Sequence, residues 1–390
     1  SLIKAKLDPA EEKDKLLDMS VGKAGDLYKW QVAKLQLVVG LDISSDNITN
    51  QLDGACARYI QARQKRLYVP RCIFLVANTA FNIKQGDAFI NSQGLSDESS
   101  IKYMNALYGE GLSKDSKELP KALKHDNVYA AVNIKNGEGG FDIISNQFSS
   151  HYFFKNIDYL TGFITNISEN CKLNGYFIGT CYDGNKIFKL LDNINKNNTY
   201  VIKNNEGNII NSITKLYDND IENLENNMSC LGLEIDVYQE SINQTITEYL
   251  VNFEYFTNIL QQYGFELCPK KDIHHMGIDK PICSFKTLYE KMNDDINQIP
   301  PKFNKKNIGD AMMMTDEEKE LSFLNNYFIF KKIRKVNENQ ITKLLRDNKS
   351  ELNNNDKDSL EKKLEKYEKE QKNKIRDVVK YKKKIILQSN

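Results

Sequence analysis

Small and acidic residues near the start of the chain are spaced as in a ligand-binding loop. A buried strand is predicted to end at Asp18, and the turn that follows contains Gly22, Ala24 and Gly25 before a helix begins. Small residues keep such a turn narrow, so a ligand can approach the backbone closely. The helix presents free N–H groups at its start. This pattern predicts the first loop of a doubly wound α/β sheet, where ligands bind at the carboxyl ends of the strands.

A second acid follows the next predicted strand. The apolar run over residues 37–43 carries Asp42 near its end, roughly 20 residues after the glycine turn. An acid at that spacing is placed to accept hydrogen bonds from ribose hydroxyls. Asp42 could instead cap a helix, but Ser44 or Ser45 would more naturally cap the helix predicted over residues 47–66.

Composition narrows the class of protein. The 390 residues can bury one large core with insertions, and the net charge of +1 means that any RNA contact must come from a local basic cleft. The seven cysteines include no CxxC pair, which indicates reduced thiols and argues against a zinc ribbon or a disulfide scaffold. No 18-residue apolar run occurs, so no membrane partner is expected. The start of the chain close to a core motif suggests a piece of a longer protein.

The turn after Asp18 does not read GxGxxG, which makes a dinucleotide-binding fold the weaker interpretation. Asp18, Gly22, Gly25 and Asp26 resemble motif I of the S-adenosylmethionine (SAM)-dependent methyltransferases. The run on to Trp30 is similar to the pattern DLxCGKGGDLxKW of mRNA cap guanine-N7 methyltransferases. Further motifs of that family follow in the same order, and the resemblance covers roughly residues 2–334. They are QFxxHY at residues 147–152, GYFIGT at residues 175–180 and EYLVxF at residues 248–253.

The resemblance implies a fold and a reaction. The fold would be α/β, of the Rossmann-like class I SAM-dependent methyltransferases, with a mainly parallel seven-stranded sheet and helices on both faces. The reaction would move a methyl group from SAM to N7 of the guanine in a GpppN cap, leaving S-adenosylhomocysteine. N7 has a lone pair and no proton, so this in-line displacement needs orientation but no general base. No metal is expected.

The resemblance also implies a set of cofactor contacts. Lys4 matches a lysine that reaches the SAM carboxylate, although its position alone would suit an ordinary solvated lysine. Asn78 follows the third predicted strand, where the family usually has an acid beside the adenine, and its amide can still bond the adenine edge. Gln147 matches a glutamine that frames SAM. The predicted cofactor site comprises Lys4, Asp18, Gly22, Gly25, Asp42, Asn78 and Gln147.

A pocket for the cap guanine is implied beside the cofactor. Phe148, His151 and Tyr152 match residues that shape it, and aromatic stacking contributes about 1–3 kcal/mol per base. Glu248 matches a glutamate that accepts hydrogen bonds from the Watson–Crick edge of guanine. With His151 and Tyr152 it would orient the base, and no residue is predicted to act as an acid or base.

Two more tyrosines are assigned to the same pocket. Tyr327 matches a tyrosine that closes it, and Tyr182 would add an aromatic wall. Other roles remain open on position alone. Phe148 and Tyr152 could be core residues at i and i+4 of one helix, Glu248 could be an acid at a helix start, and Tyr182 could be a loop residue.

The domain organisation predicted from the sequence has three parts. Residues 1–335 would form the catalytic domain. Residues 82–135 would be an insertion with a helix over 101–107 and a mobile loop around 109–111. Residues 336–390 would be a charged, Lys-rich helical tail that is solvated or docked on a partner, with RNA contact as the lesser alternative.

Residues 181–184, from Cys181 to Gly184, follow the GYFIGT motif. Cellular members of the family often carry proline at this point. The form in this chain resembles the capping enzymes of large DNA viruses, in which the methyltransferase follows triphosphatase and guanylyltransferase modules. The expected partners are a capped RNA 5′ end, such upstream modules and a stimulatory subunit. The expected compartment is the cytoplasm, in a viral factory or virion, for a viral protein, and the nucleus for a cellular one. Two alternatives remain, a catalytically weak or stimulatory subunit with this fold and a SAM methyltransferase for another substrate, such as a different RNA or a small molecule.

Overall fold

The computed structural model describes residues 14–65, 68–124, 128–133, 139–240, 242–298 and 309–347. Lys4 and most of the predicted tail lie outside these residues. The strands are β1 (Lys15–Asp18), β2 (Leu37–Asp42), β3 (Arg71–Val76), β4 (Phe141–Gln147), β5 (Cys171–Tyr182), β6 (Thr199–Lys203), β7 (Ile209–Lys215), β8 (Glu234–Gln239), β9 (Gln244–Tyr249), β10 (Phe265–Leu267), β11 (Ile282–Ser284) and β12 (Asn325–Lys332).

The helices alternate with the strands along most of the described chain. They are α1 (Leu27–Val32), α2 (Ser45–Thr49), α3 (Ala55–Gln64), α4 (Glu98–Tyr108), α5 (Ile157–Asn170), α6 (Gly184–Leu190), α7 (Phe253–Gln262), α8 (Lys270–Met276), α9 (Phe285–Asn297), α10 (Asp316–Phe323) and α11 (Glu338–Asp347). No helix among the described residues is long and apolar enough to cross a membrane.

The central sheet has the strand order β10-β12-β5-β4-β1-β2-β3. Strands β1 to β5 are parallel, whereas β12 is antiparallel to both of its neighbours. The predicted mainly parallel seven-stranded sheet is therefore confirmed along this path. An eighth, short strand that the sequence did not predict, β11, also pairs with β12.

Both faces of the sheet are covered by helices, as predicted. Every residue of β2 is buried, because its near-continuous apolar sequence faces a core on each side. On one face, Trp30 of α1 packs with Ile178 of β5 in a buried cluster. On the other face, Phe177 of β5 contacts Phe163 of α5 and Phe256 of α7 edge to face.

A second, four-stranded antiparallel sheet has the order β6-β7-β8-β9. The sequence predicts a hairpin over residues 199–213 around a turn at residues 205–207. This is confirmed, since β6 and β7 pair around a turn in which Gly207 adopts the left-handed conformation at φ 83°. The alternating sequence of residues 231–238 predicts an antiparallel strand. In the structure this strand, β8, begins later, at Glu234. That these strands pair into a sheet of their own was not predicted.

Two helix boundaries differ from the predictions. The helix expected over residues 47–66 is divided into α2 and α3, because Asn50 leaves the helical conformation at ψ 125° and Gly54 is extended at ψ 165° before α3 begins. Ser44 caps α2 by accepting a hydrogen bond from Asn47 N, as expected. The helix in the predicted insertion is confirmed but starts earlier, after the cap residue Asp97.

Candidate active site

The turn after β1 has the narrow, open form that its small residues predict. Gly22 and Ala24 have φ of 53° and 55°, a region that only glycine occupies freely. A Cβ atom added at Gly22 or Gly25 would meet nothing within 4 Å. The backbone of this turn therefore borders open space, where a ligand can approach it.

Asp42 holds this turn in place. Its Oδ2 accepts a hydrogen bond from Gly22 N at 2.8 Å, and its Oδ1 accepts from Ser44 N at 2.9 Å and from Asn47 Nδ2 at 3.0 Å. Each carboxylate oxygen has two lone pairs, so Oδ2 can accept one further bond. The predicted contact with a ribose hydroxyl stays a prediction, and it is compatible with this geometry.

Asp18 is a buried carboxyl at the end of β1. Its Oδ1 accepts a hydrogen bond from Ser20 N at 3.1 Å. The pKa of Asp18 is raised to about 7, chiefly by burial and to a smaller extent by the nearby charges of Asp26 and Asp42. A cluster of acids beside an open turn favours a ligand with positive charge, because such a ligand would stabilise the ionised carboxylates. The sulfonium and amino groups of SAM fit this description.

The other two described members of the predicted cofactor site have partners of their own. The side-chain oxygen of Asn78 accepts a hydrogen bond from Ala80 N at 3.1 Å. Gln147 donates to Ser145 Oγ and accepts from Thr180 Oγ1, both at 3.1 Å. These bonds fix the orientation of both amides at the carboxyl ends of β3 and β4. Their contacts with SAM stay predictions.

A cavity of about 440 Å³ brings together most of the residues assigned to the cap guanine. The predicted residues that line it are Phe148, His151, Tyr152, Tyr182 and Glu248. They come from four separate parts of the chain: the loop after β4, a following 3-10 helix (Ser150–Lys155), the end of β5, and β9. Among the described residues that line this cavity, none is Lys or Arg.

His151 and Glu248 face each other inside the cavity. Their Nε2 and Oε1 atoms are 3.6 Å apart, and both side chains are buried. Neither imidazole nitrogen of His151 nor Oε2 of Glu248 has a hydrogen-bond partner among the described residues. Burial lowers the pKa of His151 to about 3 and raises the pKa of Glu248 to about 8. At neutral pH the histidine is therefore neutral and the carboxyl largely protonated.

Aromatic rings surround this pair. The rings of His151 and Tyr152 meet edge to face with centroids 4.2 Å apart, and Phe148 contacts Phe285 of α9 at 6.0 Å. Phe148 is 55% exposed and has φ of 52°, rare for a bulky residue, with its N–H bonded to Thr180 O at 2.7 Å. Phe148 is therefore not a core residue of a helix face. Glu248 lies on a strand, so it is not an acid at a helix start.

Tyr327 differs from the prediction that it closes the pocket. Its side chain is buried in the core cluster with Trp30 and Ile329, and its hydroxyl donates to Lys280 O at 2.9 Å. Residues two apart on a strand share a face, so Tyr327 points to the same core as Ile329. The structure does not place it in the cavity lining.

Comparisons with known proteins agree with this architecture. Residues 115–333 match the model of the mRNA (guanine-N(7))-methyltransferase domain. The chain belongs to the mRNA (guanine-N(7))-methyltransferase family. It is 25% identical over 356 residues to a probable mRNA-capping enzyme of Acanthamoeba polyphaga mimivirus, covering 87% of this chain and 27% of that protein. It is also 25% identical over 337 residues to the mRNA cap guanine-N(7) methyltransferase of Eremothecium gossypii, covering 84% of this chain and 62% of that protein.

Among solved structures, the CcbJ methyltransferase from Streptomyces caelestis is similar at 10% identity and a TM-score of 0.40, over 85% of this chain and 88% of that one. The chain spans less than two thirds of the length of the mimivirus and Eremothecium gossypii proteins. The resemblance to cap guanine-N7 methyltransferases inferred from the sequence is confirmed at the level of the family.

Within this methyltransferase fold, the four-stranded sheet supplies cavity residues that the sequence analysis missed. Val237, Gln239 and Ile246 lie on β8 and β9 and line the cavity beside Glu248. Their period-2 alternation with more polar residues such as Asp236, Thr245 and Thr247 was a usable signal. Phe285 gave no local signal, because only the tertiary structure brings the start of α9 to Phe148.

Proposed function

We propose that this protein transfers a methyl group from SAM to N7 of the guanine of GpppN caps at mRNA 5′ ends. The observation that carries the proposal is the buried Glu248 carboxyl, which faces His151 without a hydrogen bond inside an aromatic cavity. The Watson–Crick edge of guanine presents N–H donors, and a buried carboxylate is an acceptor suited to them. Family membership supports the same reaction.

Substrate orientation would be the main contribution of the chain's residues. Phe148 and Tyr152 offer ring faces and edges against which a flat purine can stack. Glu248, once ionised, would fix the guanine edge and favour the positive charge that develops on the purine as N7 is methylated. N7 carries no proton, so none of these residues has to act as a general base.

The turn after β1 would hold the cofactor. SAM, when bound, supplies the methyl group from its positively charged sulfonium. Asp42 would orient the ribose while fixing the turn through Gly22, and Asp18 would contribute negative charge. Binding of a cation beside Asp18 would lower the pKa of that carboxyl and ionise it. Lys4, Asn78 and Gln147 are proposed to complete the site.

The proposed partner is a capped RNA 5′ end. The absence of Lys and Arg among the described residues lining the cavity indicates that the nucleoside enters it while the triphosphate stays outside. Upstream capping modules are proposed because the relative from mimivirus is a probable mRNA-capping enzyme much longer than this chain. A stimulatory subunit, and a location in the cytoplasm for a viral or the nucleus for a cellular protein, are further proposals.

A methyl-transfer assay tests the proposal. Labelled SAM is supplied with RNA ending in GpppN, with RNA ending in a triphosphate, and with free GTP. We expect label at N7 of the cap guanine only. Binding of SAM without transfer would favour the stimulatory-subunit alternative, whereas transfer to the triphosphate-ended RNA would favour a methyltransferase for another RNA. A chain that binds no SAM would contradict the catalytic proposal.

A further inference from the structure

A second set of polar side chains lies at and behind the cavity wall, and the proposed reaction gives it no hydrogen-bonding role. It consists of Tyr182 on β5, Gln239 on β8 and Asn211 on β7, here called the amide cluster. Tyr182 and Gln239 line the cavity, and Gln239 Nε2 lies 3.5 Å from the Tyr182 hydroxyl oxygen. Gln239 and Asn211 are register partners on neighbouring strands. Side chains of such partners stand side by side on one face of a sheet.

The strand register places the amide cluster at a set distance from Glu248. Glu248 pairs with Ile235, and Gln239 pairs with Gln244, four residues further along both strands. Four residues of a strand span about 13 Å. Val237 and Ile246 pair between these two ends and both line the cavity. One face of the small sheet thus presents two polar ends separated by an apolar span.

Asn211 is fully buried, and neither its amide nitrogen nor its amide oxygen forms a hydrogen bond of good geometry with a described residue. It lies near the Tyr182 hydroxyl. Burial raises the pKa of that phenol, and the charge of Glu248 raises it further, whereas the amides of Gln239 and Asn211 lower it. Burying an amide without hydrogen bonds opposes folding. Asn211 is not among the residues that line the cavity, so its presence here is explained if it orients Gln239 and Tyr182 toward a ligand.

The chemistry of the cluster selects the ligand. Two carboxamides and a phenol each donate and accept hydrogen bonds, which matches a hydroxyl group. A phosphate would require cationic side chains, and the described lining contains no Lys or Arg. Resting on the proposed function, which puts guanine at Glu248, we propose that Gln239 and Tyr182 bind a ribose hydroxyl of the capped 5′ end. Asn211 acts as a positioning residue that orients both.

Binding measurements with dinucleotide cap analogues test this inference independently of methyl transfer. The full chain, saturated with S-adenosylhomocysteine, is titrated with GpppA. It is then titrated with GpppA lacking the 2′- or the 3′-hydroxyl of guanosine, or the 2′-hydroxyl of adenosine. We expect at least one of these analogues to bind on the order of tenfold more weakly than GpppA. The affected analogue identifies which ribose the cluster contacts.

Three variants sharpen the test. The quantity compared is the ratio of the affinity for GpppA to the affinity for the affected analogue. Gln239→Leu should bring this ratio close to one, whereas Glu240→Gln, a control at the exposed neighbouring residue, should keep it. Asn211→Leu, of similar shape, should reduce the ratio while leaving the melting temperature equal or higher, because it removes an unpaired buried amide. A merely structural Asn211 would instead lower the melting temperature and keep the ratio.

Equal binding of all analogues by the unsubstituted chain would overturn the inference, as would an unchanged ratio in Gln239→Leu. Transfer to GpppN-ended RNA, measured in parallel, separates the two proposals. Methylation combined with equal analogue binding rejects the ribose subsite alone. Failure to bind GpppA at all rejects the ribose subsite together with the cap-binding assignment.

Discussion

The proposed cofactor turn (residues 18–26) and the proposed cap cavity both lie at the carboxyl ends of the central strands, but their buried polar groups differ in hydrogen bonding. Asp42 accepts three hydrogen bonds from its own chain. Glu248 and His151, by contrast, leave Oε2 and both imidazole nitrogens without a partner among the described residues. The first region is organised by the fold itself, whereas the second retains unpaired groups that are available to a ligand.

This difference separates two kinds of mutational effect. Removing a group that the fold uses should damage both stability and cofactor binding. Removing an unpaired group from the cavity should damage cap binding while stability is kept, because such a group contributes no hydrogen bond to the folded protein. The following predictions test the comparison.

The largest combined effect is expected for Asp42→Ala. Loss of its three hydrogen bonds should lower the free energy of unfolding by about 3 kcal/mol and abolish measurable SAM binding. Denaturant unfolding and SAM titration measure the two effects. Asp42→Asn keeps one acceptor oxygen and should lose less of both. Normal unfolding together with normal SAM affinity in Asp42→Ala would refute the structural role of this carboxylate.

Glu248→Ala should reduce methyl transfer to GpppN-ended RNA by on the order of 10²–10³-fold, the cost of losing a preorganised electrostatic contact. SAM affinity should not change, because Glu248 lies in the cap cavity. Glu254→Ala, at an exposed glutamate in the first turn of α7, is the matched control. Turnover like that of the unsubstituted chain would show that Glu248 does not bind the guanine edge.

Cap affinity should depend on pH through Glu248. Burial raises its pKa to about 8 in the free protein, while binding to guanine donors requires the ionised form. Affinity for GpppA should therefore rise about tenfold per pH unit between pH 6 and pH 7.5, and level off above pH 8. His151, whose pKa is lowered to about 3, stays neutral over this range.

Titrations of GpppA at several pH values, with proton release measured by calorimetry in two buffers, test this dependence. Glu248→Gln should remove both the slope and the released proton. A flat profile for the unsubstituted chain would mean that the carboxyl is already ionised before the ligand binds.

The smallest effect is expected for Tyr327→Phe. Its hydroxyl bonds to the Lys280 carbonyl in the core, so the change should cost about 1 kcal/mol of stability and leave cap affinity unaltered. The resemblance of its motif predicts the opposite, a loss of cap binding. Unfolding and GpppA titration of one variant decide between the motif and the structure.

Much of this molecule could be predicted locally. The glycine turn, the strand ending at Asp42 and the Ser44 cap depend on neighbouring residues, and all three occur as expected. The division of the helix after Ser44 was missed, because the extended backbone of Asn50 and Gly54 leaves no simple periodic signal in the sequence. The placement of Phe285 beside Phe148 was missed because the two residues are far apart in sequence.

The sequence by itself determined the family, the parallel sheet and the identity of most residues assigned to the site, since motifs and apolar periodicity are local properties of the chain. The tertiary structure decided which of those residues meet. It brought Glu248 to 3.6 Å from His151 and assigned Tyr327 to the core. It also placed Asn211 and Gln239 beside Tyr182. Burial and pairing between distant segments arise only when the two sheets pack, and they set the pKa values and unpaired groups on which the proposed chemistry depends.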